Sequence, residues 1–173
     1  MKVQCDGRIW SLPPEGDNRL REHPTTLRYA VATFDTWDGL LNALQHLDLN
    51  GLRTEVFCCL GLQRVFTDTV AIAVLRAIAV QELPFPQSVQ PICCTGRLAQ
   101  CLLERLRAGA PTLEAALGHW LIPRHAAELQ DIVEHGRIVL WIQLFDSEDE
   151  HRAYRSLLAR SSSSVGVHDL AAD

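Results

Sequence analysis

A pattern that occurs twice in the chain, once near each end, constrains the fold more than any other feature. Each copy begins with an apolar run, "LRYAVATF" or "RIVLWIQLF", that is rich in β-branched and aromatic residues. Such runs are typical of buried strands. The string "FDTWD" begins at the last residue of the first run, and "FDSED" begins at the last residue of the second. Their hydroxyl and carboxylate oxygens are typical of a helix start, because they accept hydrogen bonds from free amides and complement the positive first turn.

An amphipathic helix and a second strand follow in each copy. Leucines recur at helical spacing after the first start, as at Leu40, Leu44 and Leu47, and apolar residues do so after the second. One constant offset, without a gap, relates Phe34 with Phe145, Asp35 with Asp146, Leu47 with Leu158 and Val56 with Val167. We therefore interpret the chain as an internal duplication of a βαβ unit.

Two such units most economically form one four-stranded antiparallel sheet with two helices on one face, the ferredoxin-like arrangement. A length of 173 residues fits one domain. We predict a single α+β domain, with the first unit in residues 27–60 and the second in residues 137–170. Residues 61–136 are predicted to form a mainly helical insertion between the two halves.

The insertion contains four segments with helical patterns. They are "TDTVAIAVLRAIAV", "GRLAQCLLERLRAG", "TLEAALGHWL" and "PRHAAELQDIVEHG". Typical helix starts lie at Thr95 or Gly96, at Thr112 and at Pro123, and a typical helix end lies at Gly136. The proline-rich stretch "LPFPQSVQP" separates the first two helical segments. Whether "SVQPICC" joins the edge of the sheet stays open.

Composition excludes several classes of partner. A net charge of −5 without a dense Lys/Arg run lacks the electrostatic footprint of a nucleic-acid-binding protein. No run approaches the ~20 apolar residues that cross a bilayer. The amino end also lacks the basic and then apolar order of a signal peptide. We expect a cytoplasmic protein that neither binds nucleic acid nor spans a membrane.

The six cysteines include two adjacent pairs, Cys58 with Cys59 and Cys93 with Cys94. In the cytoplasm they would stay reduced, and we interpret them mainly as small buried apolar residues. A zinc or redox site built from Cys93, Cys94, Cys101 and a histidine is the alternative. No CxxC spacing supports it.

Histidines cluster in "GHWLIPRHAAELQDIVEH". His125 and Glu128 lie three residues apart and would share one helix face, which permits a weak metal or acid/base site. The alternative is an ordinary set of surface histidines, with His135 at a helix end explained by the helix dipole. Hydrolase, nucleotide-binding and dinucleotide-binding motifs do not occur in the sequence. We predict no cofactor and favour a role without catalysis.

Both predicted strand cores are apolar on both faces, so the second face of the sheet must also be covered. Either the middle helices cover it or a second chain does. We predict a homodimer in which the middle helices form part of the contact, with Trp10 and Trp120 as candidate interface residues. The predicted function is an interaction or regulatory module that binds a small ligand at the dimer interface. The alternative is a small enzyme or metal-binding protein that uses the His/Glu or the Cys cluster.

The carboxyl-terminal segment from "LIPRHAAELQ" to "SVGVHDL" and the opening "YAVATFDTWDGLLNALQHLDLNGL" resemble the bacterial general stress (heat-induced stress protein-like) family of small α/β domains. The matching features are Ile122 with Pro123, Gly136, the following strand, the acidic residues from Asp146, and the last apolar strand. The resemblance implies a stress-linked domain without enzymatic activity and supplies no catalytic residues.

Overall fold

A computed structural model describes residues 25–52, 57–67, 79–162 and 165–172. Within these ranges the strands are β1 (Thr25–Phe34), β2 (Phe57–Leu62), β3 (Val80–Leu83), β4 (Ile92–Thr95), β5 (Ile138–Leu144) and β6 (Gly166–Ala172). The helices are α1 (Trp37–Leu49), α2 (Gln63–Phe66), α3 (Gly96–Arg107), α4 (Leu113–Leu117), α5 (Pro123–Glu134) and α6 (Ser147–Leu157). None of these helices is long and apolar enough to cross a membrane.

The strands form one sheet in the order β3-β4-β2-β5-β1-β6, and all neighbouring pairs are antiparallel. The predicted α+β class is therefore confirmed. The prediction of four strands is wrong, because the described residues form a sheet of six. The two additional strands, β3 and β4, come from the segment that was predicted to be mainly helical. The open question about "SVQPICC" is thereby answered, since its last residues start β4, which pairs with β2.

Helices cover both faces of the sheet. One apolar cluster joins the sheet to α1 and α6 and includes Phe34, Leu47 and Leu157. The other joins it to α3, α4 and α5 and includes Leu98, Leu117 and Leu129. All seven residues of β5 are buried, because this strand lies between the two layers of helices. The middle helices thus cover the second face, which removes the reason for invoking a second chain there; the homodimer stays a prediction.

The offset predicted between the two copies does not match the pattern of burial. Phe34 is 1% exposed and Phe145 69%, and Leu47 is fully buried whereas Leu158 is 64% exposed. Leu157, one position earlier than Leu158, is fully buried instead. Successive strand residues point to opposite faces, so a shift by one position exchanges inside and outside. Val56, part of the predicted register, lies outside the described residues.

Local signals placed most helix starts correctly. The side chains of Thr36, Thr112 and Asp146 accept hydrogen bonds from the amides three residues further on, as N-caps do. Thr95 occupies the same position before α3, but its hydroxyl accepts a hydrogen bond from the Cys59 amide at 2.8 Å instead. It therefore joins α3 to β2. The helix predicted from "TDTVAIAVLRAIAV" lies almost wholly outside the described residues, and its last residue belongs to β3.

Candidate functional site

A pocket of about 140 Å³ lies between α5 and the part of the sheet formed by β1 and β6. Its walls combine apolar side chains with a few polar ones. The lining residues are Val31, Thr33, His125, Glu128, Leu129, Ile132, Gly166 and His168. Ligand sites also combine apolar walls with a few polar groups, but their usual volume of ~300–1,000 Å³ is larger than that of this pocket.

Helical and strand periodicity bring these residues together. His125, Leu129 and Ile132 recur at spacings of four and three, so they share one face of α5. The fully buried Ala126 and Val133 hold that helix against the sheet. On the sheet side, Gly166 of β6 lies opposite Val31 of β1. Alternate residues of these two strands therefore face α5.

The most specific feature of the pocket is a pair of histidines. The ring centroids of His125 and His168 are 5.2 Å apart with an angle of 77° between the rings. His168 also lies 6.2 Å from the ring of Trp141, which is 5.9 Å from the ring of Tyr29. Aromatic contacts thus extend from the core to the pocket. A Cβ on Gly166 would be only 3.2 Å from His168 Nε2, so the glycine leaves the space that this ring occupies.

The environment of His168 favours a neutral ring. Burial lowers its pKa, the nearby His125 lowers it further, and Asp169 and Glu128 act in the opposite direction. Since the ordinary histidine pKa is about 6.5, the ring is mainly unprotonated at neutral pH. A neutral imidazole has one donor and one acceptor nitrogen. The pocket can therefore both donate to and accept from a bound polar molecule.

Two polar atoms are buried behind the pocket. Tyr29 Oη and Trp141 Nε1 have no hydrogen-bond partner among the described residues. Burial raises the pKa of Tyr29, the thiols of Cys58 and Cys101 raise it further, and Arg97 opposes them. Tyr29 is therefore a neutral phenol at physiological pH.

The cysteines predicted to share a site are not brought together. Cys93 and Cys94 are neighbours on β4 and belong to opposite core clusters. Burial raises the pKa of Cys93 to about 11, with Glu82 adding to the effect, and it also raises the pKa of Cys94 well above its usual range. Neutral buried thiols are weak nucleophiles and weak metal ligands. In the described part of the chain, no three His, Cys, Asp or Glu side chains are grouped so as to hold a metal ion.

Among the residues predicted from sequence, His125 and Glu128 do line the pocket. His135 lies beyond the end of α5, where its ring nitrogen contacts the carbonyl oxygen of Asp131 at 2.7 Å. The sequence reasoning did not select His168 as a site residue. The alternation of Gly166 and His168 on the last strand indicated that both face the same side of the sheet. The sequence did not indicate that α5 packs on that side.

The candidate interface tryptophans have different outcomes. Trp120 is partly buried and packs against the core cluster beneath α3, α4 and α5. Its ring also contacts His119, with centroids 5.4 Å apart. Much of its surface is thus used within the chain. Trp10 lies outside the described residues, so its predicted role stays a prediction.

Comparisons with protein-family models, with curated proteins and with solved structures find no match to this chain. The resemblance to the general stress family accordingly stays a prediction.

Proposed function

We propose that this protein is a non-enzymatic regulatory module that binds a small polar molecule in the pocket between α5 and strands β1 and β6. One observation carries the proposal: the rings of His125 and His168 meet at 5.2 Å inside a half-apolar pocket. Histidine rings suit the recognition of a polar ligand, because each ring can donate or accept a hydrogen bond. We also propose that the protein acts in the cytoplasm as a homodimer.

The volume of the pocket limits the ligand. A space of about 140 Å³ is small for a ligand pocket, so it suits a compact molecule rather than a nucleotide. Val31, Leu129 and Ile132 provide apolar contacts, whereas the two imidazoles and the exposed carboxylate of Glu128 provide polar ones. A short molecule with one apolar end and one hydrogen-bonding end suits this lining.

The alternative is a small enzyme that uses His168 as a general base. The observation in its favour is the lowered pKa of His168, which keeps the ring unprotonated at neutral pH. Binding without catalysis is preferred because Glu128, the carboxylate of the pocket, is exposed. An acid/base pair normally needs a second group that orients the base. A metal-binding role has less support, since the described residues include no group of three ligands.

We further propose that β1-α1-β2 and β5-α6-β6 arose by duplication and form a ferredoxin-like core to which β3 and β4 were added. The order β6-β1-β5-β2 and the position of α1 and α6 on one face support this. The equivalent, fully buried positions of Leu47 and Leu157 support it as well. A link to stress rests on the family resemblance alone.

The test is a ligand screen by NMR with the full chain. The probes are short carboxylates, amines, amides and alcohols, and binding is followed by chemical-shift changes of backbone amides. We expect at least one probe to perturb residues of the pocket, and His168→Phe to abolish the effect. His151→Phe is the matched control, because His151 is exposed on α6, outside the pocket.

Two results would decide against the proposal. Equal binding by the wild type and the His168→Phe variant would place the ligand elsewhere. Conversion of a bound probe to a new compound, seen as new resonances that grow with time, would favour the enzyme.

A further inference from the structure

The charge of the ligand pocket is as informative as its shape. Among the described residues that line it, only Glu128 is charged when the histidines are neutral, and none is a lysine or an arginine. Burial and the nearby His125 lower the pKa of His168, so this ring is mainly neutral at neutral pH. Behind His168 lie the uncharged rings of Trp141 and Tyr29. The lining is therefore weakly negative and offers no fixed positive charge to an anion.

The charges beside the pocket have the same tendency. The exposed Asp169 follows His168 on β6, and its carboxylate is 3.9 Å from the guanidinium of Arg28. Arg28 lies nearer to Glu150 of α6, at 3.1 Å. Since successive residues of a strand point to opposite faces, Asp169 and its neighbour Arg28 lie on the α6 side of the sheet. The positive charge of Arg28 is thus directed at α6 and not at the pocket.

The hydrogen-bonding groups of the lining match those of an ammonium ion. An ammonium group has three N–H donors and no acceptor. His125 and His168 each have an acceptor nitrogen when neutral, and the carboxylate of Glu128 accepts as well. The two rings meet at 5.2 Å, and Glu128 lies one helical turn from His125, so these acceptors border one small space. A hydroxyl group would use fewer of them, and a carboxylate would be repelled by Glu128.

We propose that the ligand of this pocket is a short alkylammonium ion, whose charged group binds His125, His168 and Glu128. Its apolar end contacts the walls formed by Val31 and Leu129. The volume of about 140 Å³ limits that end to a short chain. The inference rests on the proposed function, because it names the class of ligand for the same pocket.

Protonation of His168 would oppose the binding of an ammonium ion. A protonated ring has no acceptor nitrogen, and its charge repels the ligand. Because burial keeps the pKa of His168 below its ordinary value of about 6.5, binding should be strongest above that pH. It should weaken as the pH falls through the folded pKa, by up to about tenfold per pH unit. A carboxylate ligand would show the opposite trend.

The test compares three probes of similar size, propylammonium, propanol and propionate, with the full chain. Chemical shifts of the backbone amides of the pocket, followed during titrations at about pH 7.5 and about pH 5.5, give the dissociation constants. At the higher pH we expect propylammonium to bind about tenfold more tightly than propanol, because hydrogen bonds from a charged donor are stronger than neutral ones. We expect propionate to bind most weakly there, and acidification to weaken the binding of propylammonium.

Two variants test the carboxylate of the pocket. Glu128→Gln removes the charge and keeps the shape of the side chain. Glu134→Gln is the matched control, because Glu134 is an exposed carboxylate on the same helix but outside this pocket. We expect Glu128→Gln to weaken propylammonium about two- to fivefold, the range for an exposed ion pair, and to leave propanol unchanged. Glu134→Gln should change neither.

Three results overturn the inference and leave the proposed function standing. They are tighter binding of propanol or propionate than of propylammonium at the pocket, binding of propylammonium that strengthens on acidification, and an effect of Glu128→Gln no larger than that of Glu134→Gln. If none of the three probes shifts a pocket residue, the inference also fails. The proposed function fails with it only if the broader NMR screen is negative too, so the two failures are distinguishable.

Discussion

Replacement of Gly96 by alanine tests how closely α3 approaches β2. Gly96 is the first residue of α3 and has a φ of +67°, a conformation that residues with a Cβ rarely adopt. An added Cβ would lie 2.8 Å from Cys58 Sγ and 2.9 Å from the carbonyl oxygen of Phe57. The carbonyl belongs to the backbone of β2, and the Cys58 side chain is buried in the core cluster beneath α3, α4 and α5. Neither atom can move away without breaking existing contacts.

The expected cost has two parts. The left-handed conformation costs an alanine about 1–2 kcal/mol relative to glycine. The two close contacts add about 1–3 kcal/mol, the usual range for overpacking in a well-packed region. We therefore expect Gly96→Ala to lower the free energy of unfolding by roughly 2–5 kcal/mol.

Gly109→Ala separates the two parts. Gly109 also has a positive φ, of +95°, but a Cβ there would meet nothing within 4 Å. Its alanine variant should therefore show only the conformational cost of about 1–2 kcal/mol. Urea denaturation of both variants and the wild type, followed by circular dichroism, gives the three free energies of unfolding.

The difference between the two variants measures the steric contacts alone. If Gly96→Ala and Gly109→Ala agree within about 0.5 kcal/mol, the close approach of α3 to Cys58 and Phe57 is refuted.

Three other changes test the site and its supports. Since the pKa of His168 is lowered in the fold, the stability that its neutral ring contributes is present above pH ~6.5 and is lost as the pH falls through the folded pKa. Urea denaturation between about pH 5 and 8 should therefore show that the free energy of unfolding falls less on acidification in His168→Gln than in the wild type. An equal fall in both proteins would contradict the lowered pKa. Asp146→Ala removes the acceptor for the Asp149 amide at 2.8 Å and should cost about 1 kcal/mol in thermal or urea denaturation, whereas Asp146→Asn should cost much less. Iodoacetamide should label the half-buried Cys101 of the folded protein well before Cys94, which is fully buried and whose pKa is raised by burial. Peptide mass spectrometry measures the order of labelling. Earlier labelling of Cys94 would be inconsistent with its buried position.

Much of the candidate site was within reach of the sequence, but its completion was not. The spacing of His125 and Glu128 placed both on one face of a helix, and the structure puts both at the pocket. His168 is distant from them in sequence and lies on a strand. Its meeting with His125 depends on how α5 packs across β1 and β6, which no local pattern encodes.

The sequence by itself determined many local elements: the strand cores of the two copies, the helix starts within "FDTWD" and "FDSED" and at Thr112, and the α+β class. These follow from hydrophobic periodicity and from hydrogen bonds between residues a few positions apart, both of which are visible in one segment at a time. Only the tertiary structure decided the order of the six described strands, the burial of Leu157 rather than Leu158, and the covering of the second face by α3, α4 and α5. Those depend on which apolar faces bury each other, and burial is a property of the whole chain because distant segments compete for the same partner surface.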